Sequence, residues 1–340
     1  MRTLGSVLLA SALMLTLGNP TAGAAPASAE YTYAVIGDVP YGNEQVELFP
    51  QWIDQIDADV SVGMTFHLGD IKNGSSTCTN EYFDTIRSDF DQFDKPFIYT
   101  PGDNEWTDCH RANNGAYNPL ERLAQIRRTF FDRPGSTLGR ESMPVSSQAM
   151  VGLPENVSLT SHGVAMATLH VVGSNDGLQP WAGIGRTDTG VDQRVDEAHR
   201  MLGAIAQVHT TFAGAALRGD RAVALYTQAD MFDPGVPATE DYYSAFRPLI
   251  QAIALDSALF GKPVYLFNGD SHKFNVDNPL AAGSSWLSFY GATAANNLTR
   301  VTVDGSENNK DYLRVDINRP GSGADVLTWE RVPFTVQSSS

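Results

Sequence analysis

The sequence predicts an α/β fold built on two packed sheets, and three observations point there. YTYAVIGD, MTFHLGD, FIYTPGD and VYLFNGD are short β-rich apolar runs, each closed by a glycine and an aspartate. Helical patterns around Glu47–Asp57, Glu81–Phe93, Pro119–Phe131, Asp192–His209 and Tyr242–Ser257 lie among them. Alternating strands and helices predict a largely parallel sheet, in which sites collect beyond the carboxyl ends of the strands. Later runs, AMATLHVVG, LTRVTVD, DYLRVDI and DVLTWERV, read as strands joined without long helices. They imply a second sheet packed on the first.

The chain opens with one early arginine and an apolar run ending at small residues, and Ala27-Ser28-Ala29 offers an A-x-A cleavage site before Glu30. The run is shorter than the ~20 residues that span a bilayer. Residues 1–29 are therefore expected to be a secretory signal peptide, leaving no membrane anchor after cleavage. The leader holds no cysteine and no paired arginines, so ordinary export is expected rather than lipid attachment or twin-arginine transport. Residues 30–336 contain no Pro/Ser/Gly-rich linker or charge block and read as one continuous domain.

Without the leader, 22 basic residues stand against 39 acidic ones, a formal charge of −17. Such a surface repels phosphate backbones and anionic lipid, which argues against nucleic-acid and membrane partners. A small phosphorylated substrate stays compatible with it, because a bound cation inverts the local field. Solubility of an exported protein is the plainer origin of the global charge.

Cys78 and Cys109 are the two cysteines of the chain. In an exported protein they most simply form one disulfide, tying SSTCTN to WTDCHR beside the most informative motifs. Two free or metal-binding thiols are the alternative, without a C-x-x-C pair to support zinc.

Asp38, Asp70, Asp103 and Asp270 each follow a glycine at the end of an apolar run. One such pair is ordinarily a turn or a helix cap. Four on neighbouring strands bring carboxylates together, and like charges that close require a cation or protons.

Gly37-Asp38-Val39-Pro40, Gly69-Asp70, Gly102-Asp103-Asn104-Glu105, Tyr226-Thr227-Gln228-Ala229-Asp230 and Gly269-Asp270-Ser271-His272 stand in the order of five family motifs. They resemble the D-x-H, G-D, G-N-H-E, later-histidine and G-H-x-H motifs of the calcineurin-like metallophosphoesterases, purple acid phosphatases among them. The resemblance implies a metallophosphoesterase-like α/β/β/α sandwich of two mixed β-sheets flanked by helices. It also implies hydrolysis of a phosphomonoester or phosphodiester by metal-activated water. Carried over by position, Asp38 and His272 are ligands of one metal, Asp70 is the bridge, and Asp103, Gln228 and Asp270 are ligands of the other.

The departures from the family are specific. Pro40, Gln228 and Asp270 stand where ligand histidines are expected, and Asn73 stands where purple acid phosphatases place their colour-giving tyrosine. The remaining donors are carboxylate and amide oxygens with one imidazole. They suit one or two hard divalent cations, Mn²⁺, Mg²⁺ or Ca²⁺, better than zinc or iron. Asn104 occupies the catalytic-histidine position and has no proton to deliver, so His110, held near the motif by the expected disulfide, is a candidate acid. A solvent-facing loop histidine is its plainer reading, as solvated surface is for Lys72 and Arg111, candidates for phosphate contacts.

His67 and His170 lie inside apolar runs and read as buried core. His162 reads as a strand-end group, and His199 and His209 lack a ligand-spaced partner. Asn175 and Asp176 could reach the pocket, with a turn as the simpler account. Asn156-Val157-Ser158 and Asn297-Leu298-Thr299 match the glycosylation pattern. The loops at 113–118 and 187–191 carry no recognition code for a substrate. The absence of G-x-S-x-G weighs against a serine hydrolase. A catalytically impaired protein of this fold, with a binding or structural role, is the competing expectation.

Overall fold

The computed structural model describes residues 28–336; the expected leader, apart from its last two residues, lies outside them. Among the described residues the strands are β1 (Ala29–Ile36), β2 (Val62–His67), β3 (Phe97–Tyr99), β4 (Ser146–Gln148), β5 (Leu153–Ser161), β6 (Val164–Thr168), β7 (Ala222–Tyr226), β8 (Val264–Asn268), β9 (Asn275–Asp277), β10 (Leu298–Thr302), β11 (Asp311–Asn318) and β12 (Leu327–Pro333). One sheet runs β12-β11-β1-β2-β3 and the other β4-β5-β6-β7-β8-β10-β9. Both are mixed. β1, β2 and β3 are parallel, with β11 and β12 added antiparallel, and β6, β7, β8 and β10 are parallel, with antiparallel edges.

Alternation along the strands builds three apolar layers. On β1, Tyr33 and Val35 face the other sheet while Ala34 and Ile36 face helices. On β7 and β8, Ala224, Tyr226, Tyr265 and Phe267 join the layer between the sheets, and Val223, Leu225, Val264 and Leu266 face the other way. In the central layer Phe66 stacks on Tyr226 at 3.9 Å between ring centroids, and Tyr226 on Phe267 at 5.2 Å. The helices Gly42–Ala58, Asn80–Phe90 and Pro119–Phe130 cover one outer face, and Val191–Arg218 and Arg247–Phe260 the other. The α/β/β/α sandwich implied by the motifs is the architecture present.

The division of strands differs from the sequence expectation. The first three Gly-Asp runs share one sheet, but VYLFNGD (β8) belongs to the other, and the late runs β11 and β12 complete the first sheet against β1. Pairing between residues as far apart as Thr32 and Asp316, whose side chains hydrogen-bond at 2.6 Å, leaves no local mark in sequence. The first helix starts at Gly42 rather than Glu47, its start held by the Tyr41 N–H donating to Gln45 Oε1 at 2.8 Å. The helix near residue 192 runs on to Arg218, ending on Gly219 in the left-handed region.

Cys78 and Cys109 form the expected disulfide, 31 residues apart. A loop of that length lowers denatured-state entropy by an amount worth roughly 3–4 kcal/mol. Reduction should lower unfolding stability by no more than about 4 kcal/mol, read from denaturant melts with and without reductant. Two thiols that alkylate freely in native protein would contradict the bridge. Among the described residues no helix is long and apolar enough to cross a membrane.

Candidate metal centre

The carboxyl ends of the parallel strands from both sheets meet at one place. Asp38 follows β1, Asp70 follows β2, Asp103 follows β3, Gln228 follows β7 and Asp270 follows β8. Backbone bonds stitch these ends together: Asp38 N–H donates to Gly69 O at 2.9 Å, and Gly269 N–H to Gln228 O at 3.1 Å. The sheets are also joined through side chains, because Asp270 N–H donates to both oxygens of Asp38 at 3.0 and 3.1 Å. Asn104 N–H donates to Asp70 Oδ1 at 3.1 Å.

Two groups of ligand atoms result, each within 4.8 Å: Asp38, Asp70 and His272, and Asp70, Asp103 and Asp270. Asp70 belongs to both. The backbone is bent to achieve this, since Asp38, Asp70, Asp270 and His272 have φ of 54°, 56°, 72° and 59°. A non-glycine residue in the left-handed region costs on the order of 1–2 kcal/mol, and such strain concentrates at functional sites. Glycines leave the carboxylates their room: a Cβ on Gly102 would sit 2.1 Å from Asp70 Oδ1, and one on Gly173 would sit 2.8 Å from Asp103 Oδ2.

The electrostatics call for protons or a cation among these carboxylates. Asp38 and Asp70 are almost completely enclosed. Burial above all, with the surrounding carboxylates adding to it, holds Asp38, Asp70 and Asp270 well above the usual carboxylate range. Burial lowers His272, against the pull of nearby acids. Lys72 is a buried cation beside the cluster; burial brings it down to about 8, while Glu105, Asp108 and Asp70 act in the other direction. Its Nζ donates to the carbonyls of Asn73 and Asn104 at 2.8 and 2.9 Å. It therefore braces the loop and is not the surface phosphate contact the sequence offered. Arg111 is likewise committed, to Asp108 at 2.7 Å. Five oxygen and imidazole side chains arranged in this way can hold a metal ion, and the donors are hard.

The other expected site residues fall as follows. Gln228 turns its amide nitrogen toward Asp103 Oδ1 at 3.3 Å, while its oxygen accepts the Gly173 N–H at 2.7 Å. As placed it orients Asp103, and ligation requires the amide to rotate. Asn104 Nδ2 donates to Asp70 Oδ2 and to the Tyr41 hydroxyl, both at 2.8 Å. His110 accepts the Gly183 N–H at 3.1 Å on Nδ1, and among the described residues no hydrogen bond joins it to the cluster. His67 is core, as expected: Gly69 N–H donates to its Nδ1, its Nε2 donates to Val39 O, and burial holds it down at about 4. His170 is buried against Glu155. Asn175 lines the cleft beside Ser174 while also accepting Ala245 N–H and donating to Ser244 Oγ, and Asp176 pairs with buried Arg200. Asn156 is completely buried and bonded to Gln148, so that sequon is closed to modification.

Sequence reasoning missed three participants. Tyr41, next to Pro40, donates its hydroxyl to Asp70 Oδ2 at 2.8 Å and lies 3.2 Å from His272 Nε2. Burial and the Asp70 and Asp38 charges push its phenol well up. Ser174 donates to Asp103 Oδ2 at 2.8 Å from a run, Ser174–Asp176, that is left-handed throughout. Glu105 accepts from Tyr99 Oη and Gly102 N–H at 2.7 and 2.6 Å, fixing the turn that presents Asp103. Adjacency to a Gly-Asp turn was the available signal for Tyr41 and the G-N-H-E match the signal for Glu105; Ser174 becomes visible only in three dimensions. Asp103 and Asp270 form the floor of an open cleft of about 320 Å³, walled by Ser174, Asp230, Asp233, Tyr242 and Tyr243.

No family model and no curated protein matches the chain. Among solved structures it is similar to GAP50, the anchor in the inner membrane complex of Plasmodium, at 8% identity over 91% of this chain and 90% of that one, with a TM-score of 0.48. It is also similar to the Thermus thermophilus sulfate thiohydrolase SoxB, at 13% identity over 85% of this chain, with a TM-score of 0.37. The match spans under half of SoxB, 42% of its length.

Proposed function

We propose that this protein is a secreted, metal-dependent phosphoesterase acting on a small phosphomonoester or phosphodiester. The observation that carries the reading is the pair of ligand groups sharing Asp70, gathered from the ends of four strands, three of them with strained positions. Asp38 and His272 would hold one cation, Asp103 and Asp270 a second, and Asp70 both. A divalent cation held there supplies Lewis-acid polarisation of a phosphoryl oxygen and activation of water.

The chain's own residues do the rest. Ser174 and Gln228 fix the orientation of Asp103. Asn104 and Tyr41 converge as hydrogen-bond donors on Asp70. Acidic and aromatic side chains wall the cleft, with Lys273 in the adjoining recess that shares Asp230, Asp233 and Ser271, which supports a small ester over a polyanion. The Cys78–Cys109 disulfide supports an oxidising compartment.

Metal analysis of the purified protein beside a panel of phosphomonoesters and phosphodiesters tests class and cofactor together. A competing reading, a metal-binding protein without turnover, is supported by Asn104 and by the nitrogen-inward Gln228. It prevails if the protein binds metal and hydrolyses nothing.

Asn104 gives the leaving group no proton, so activated esters such as nitrophenyl phosphate should outrun alkyl phosphates. Asn104→His should raise kcat/KM for alkyl esters by roughly 10²-fold and for aryl esters far less. Equal hydrolysis of both ester types by wild type would show that another acid, such as His110, supplies the proton.

A further inference from the structure

Resting on the metal-centre reading, we infer that Tyr41 supplies the ligand that Pro40 cannot, its phenol oxygen completing the Asp38–Asp70–His272 position. Pro40 has no side-chain donor atom, so carboxylate, carboxylate and imidazole are the three side chains that otherwise surround this position. Ligand atoms about 2.1 Å from a cation and at right angles to one another are roughly 3 Å apart. The Tyr41 oxygen lies 2.8 Å from Asp70 Oδ2 and 3.2 Å from His272 Nε2, and His272 Nε2 lies 3.6 Å from Asp38 Oδ1. The first two separations are close to that spacing and the third is somewhat longer, so the phenol oxygen would be placed to join Asp38, Asp70 and His272 around a bound cation.

The surroundings hold the ring in that place. Tyr41 N–H donates to Gln45 Oε1 at 2.8 Å, and Gln45 Nε2 donates to Ser306 O at 2.7 Å. The tyrosine ring stands edge-on to the His272 ring, with centroids 5.3 Å apart. Asn104 Nδ2 donates to the phenol oxygen at 2.8 Å. An ordinary half-buried tyrosine needs one polar partner; here a carboxylate, an imidazole and an amide converge on one oxygen. A hard oxygen donor also matches the rest of the set. A mere hydrogen-bond donor to Asp70 would share the first distance without becoming a ligand, and the two roles separate spectroscopically.

The test uses the full mature chain with Fe³⁺ and Mn²⁺ as probes. Ferric wild type should show a visible phenolate-to-iron charge-transfer band, and Tyr41→Phe should lose it. Calorimetric titration with Mn²⁺ should show affinity at this position falling by about 10-fold or more in Tyr41→Phe. The wild-type band does not depend on the variant folding. Iron uptake by wild type without the band, or a variant that keeps both band and Mn²⁺ affinity, overturns the Tyr41 assignment and leaves the metal centre standing. Wild type that takes up neither ion overturns both.

Discussion

Asp70→Asn should abolish metal binding at the proposed centre and the proposed hydrolysis together. Asp70 is the one residue common to both ligand groups, and its two oxygens already accept from Asn104 N–H, Asn104 Nδ2 and Tyr41 Oη at 3.1, 2.8 and 2.8 Å. An amide in its place offers one oxygen where two are used and turns an NH₂ toward donors. Loss of residues that merely support a metal ligand costs about 10–100-fold in affinity or activity. Loss of the shared ligand should cost at least 10²-fold in Mn²⁺ affinity and more in kcat/KM. Equilibrium dialysis with metal quantification measures the first and ester hydrolysis the second, with circular dichroism confirming the fold. Unchanged metal content and turnover would exclude the role.

In metal-free protein the carboxylate cluster should lose its stabilising contribution as pH rises. Asp38, Asp70 and Asp270 are held well above their ordinary range in the folded state by burial and by their neighbours. The folded protein therefore keeps protons that the unfolded chain releases. The contribution is fully present below the unfolded carboxylate value near 4 and is lost as pH climbs through the raised folded values, by up to about 1.4 kcal/mol per pH unit for each proton retained. A cation replaces those protons. At neutral pH, Mn²⁺ at 100 times its dissociation constant should restore about 2.7 kcal/mol. Thermal melts from pH 4 to 8, in chelator and in Mn²⁺, should diverge as pH rises. A gap between the chelator and Mn²⁺ melts that fails to widen as pH rises would contradict the charge balance proposed for the site.

The legible part of this molecule is local. Four Gly-Asp turns could be read because each combines a strand end, a close backbone approach and a carboxylate within a few residues. The Gly102 position, where a Cβ would meet Asp70 Oδ1 at 2.1 Å, shows why glycine precedes aspartate there. The core histidine at 67 was legible from its apolar run. What could not be read depends on residues far apart in sequence. β11 is a clear strand in isolation, yet its place beside β1 follows from contacts such as Thr32 with Asp316. Lys72 looked like a surface cation because nothing near it in sequence shows that it closes over Asn104 O. The orientation of Gln228 is set by Gly173, 55 residues away. Tyr41 is local to its motif, but its meaning comes from Asp70, Asn104 and His272 on three other loops.

Diffraction from a crystal of the mature protein soaked in Mn²⁺, collected with anomalous signal at the manganese edge, tests the central claim most directly. The expected map has a peak between Asp70, Asp103 and Asp270, between Asp38, Asp70 and His272, or at both. A well-ordered map with all five side chains in place and no anomalous peak among them, at a Mn²⁺ concentration that saturates other hard-donor sites, would contradict it.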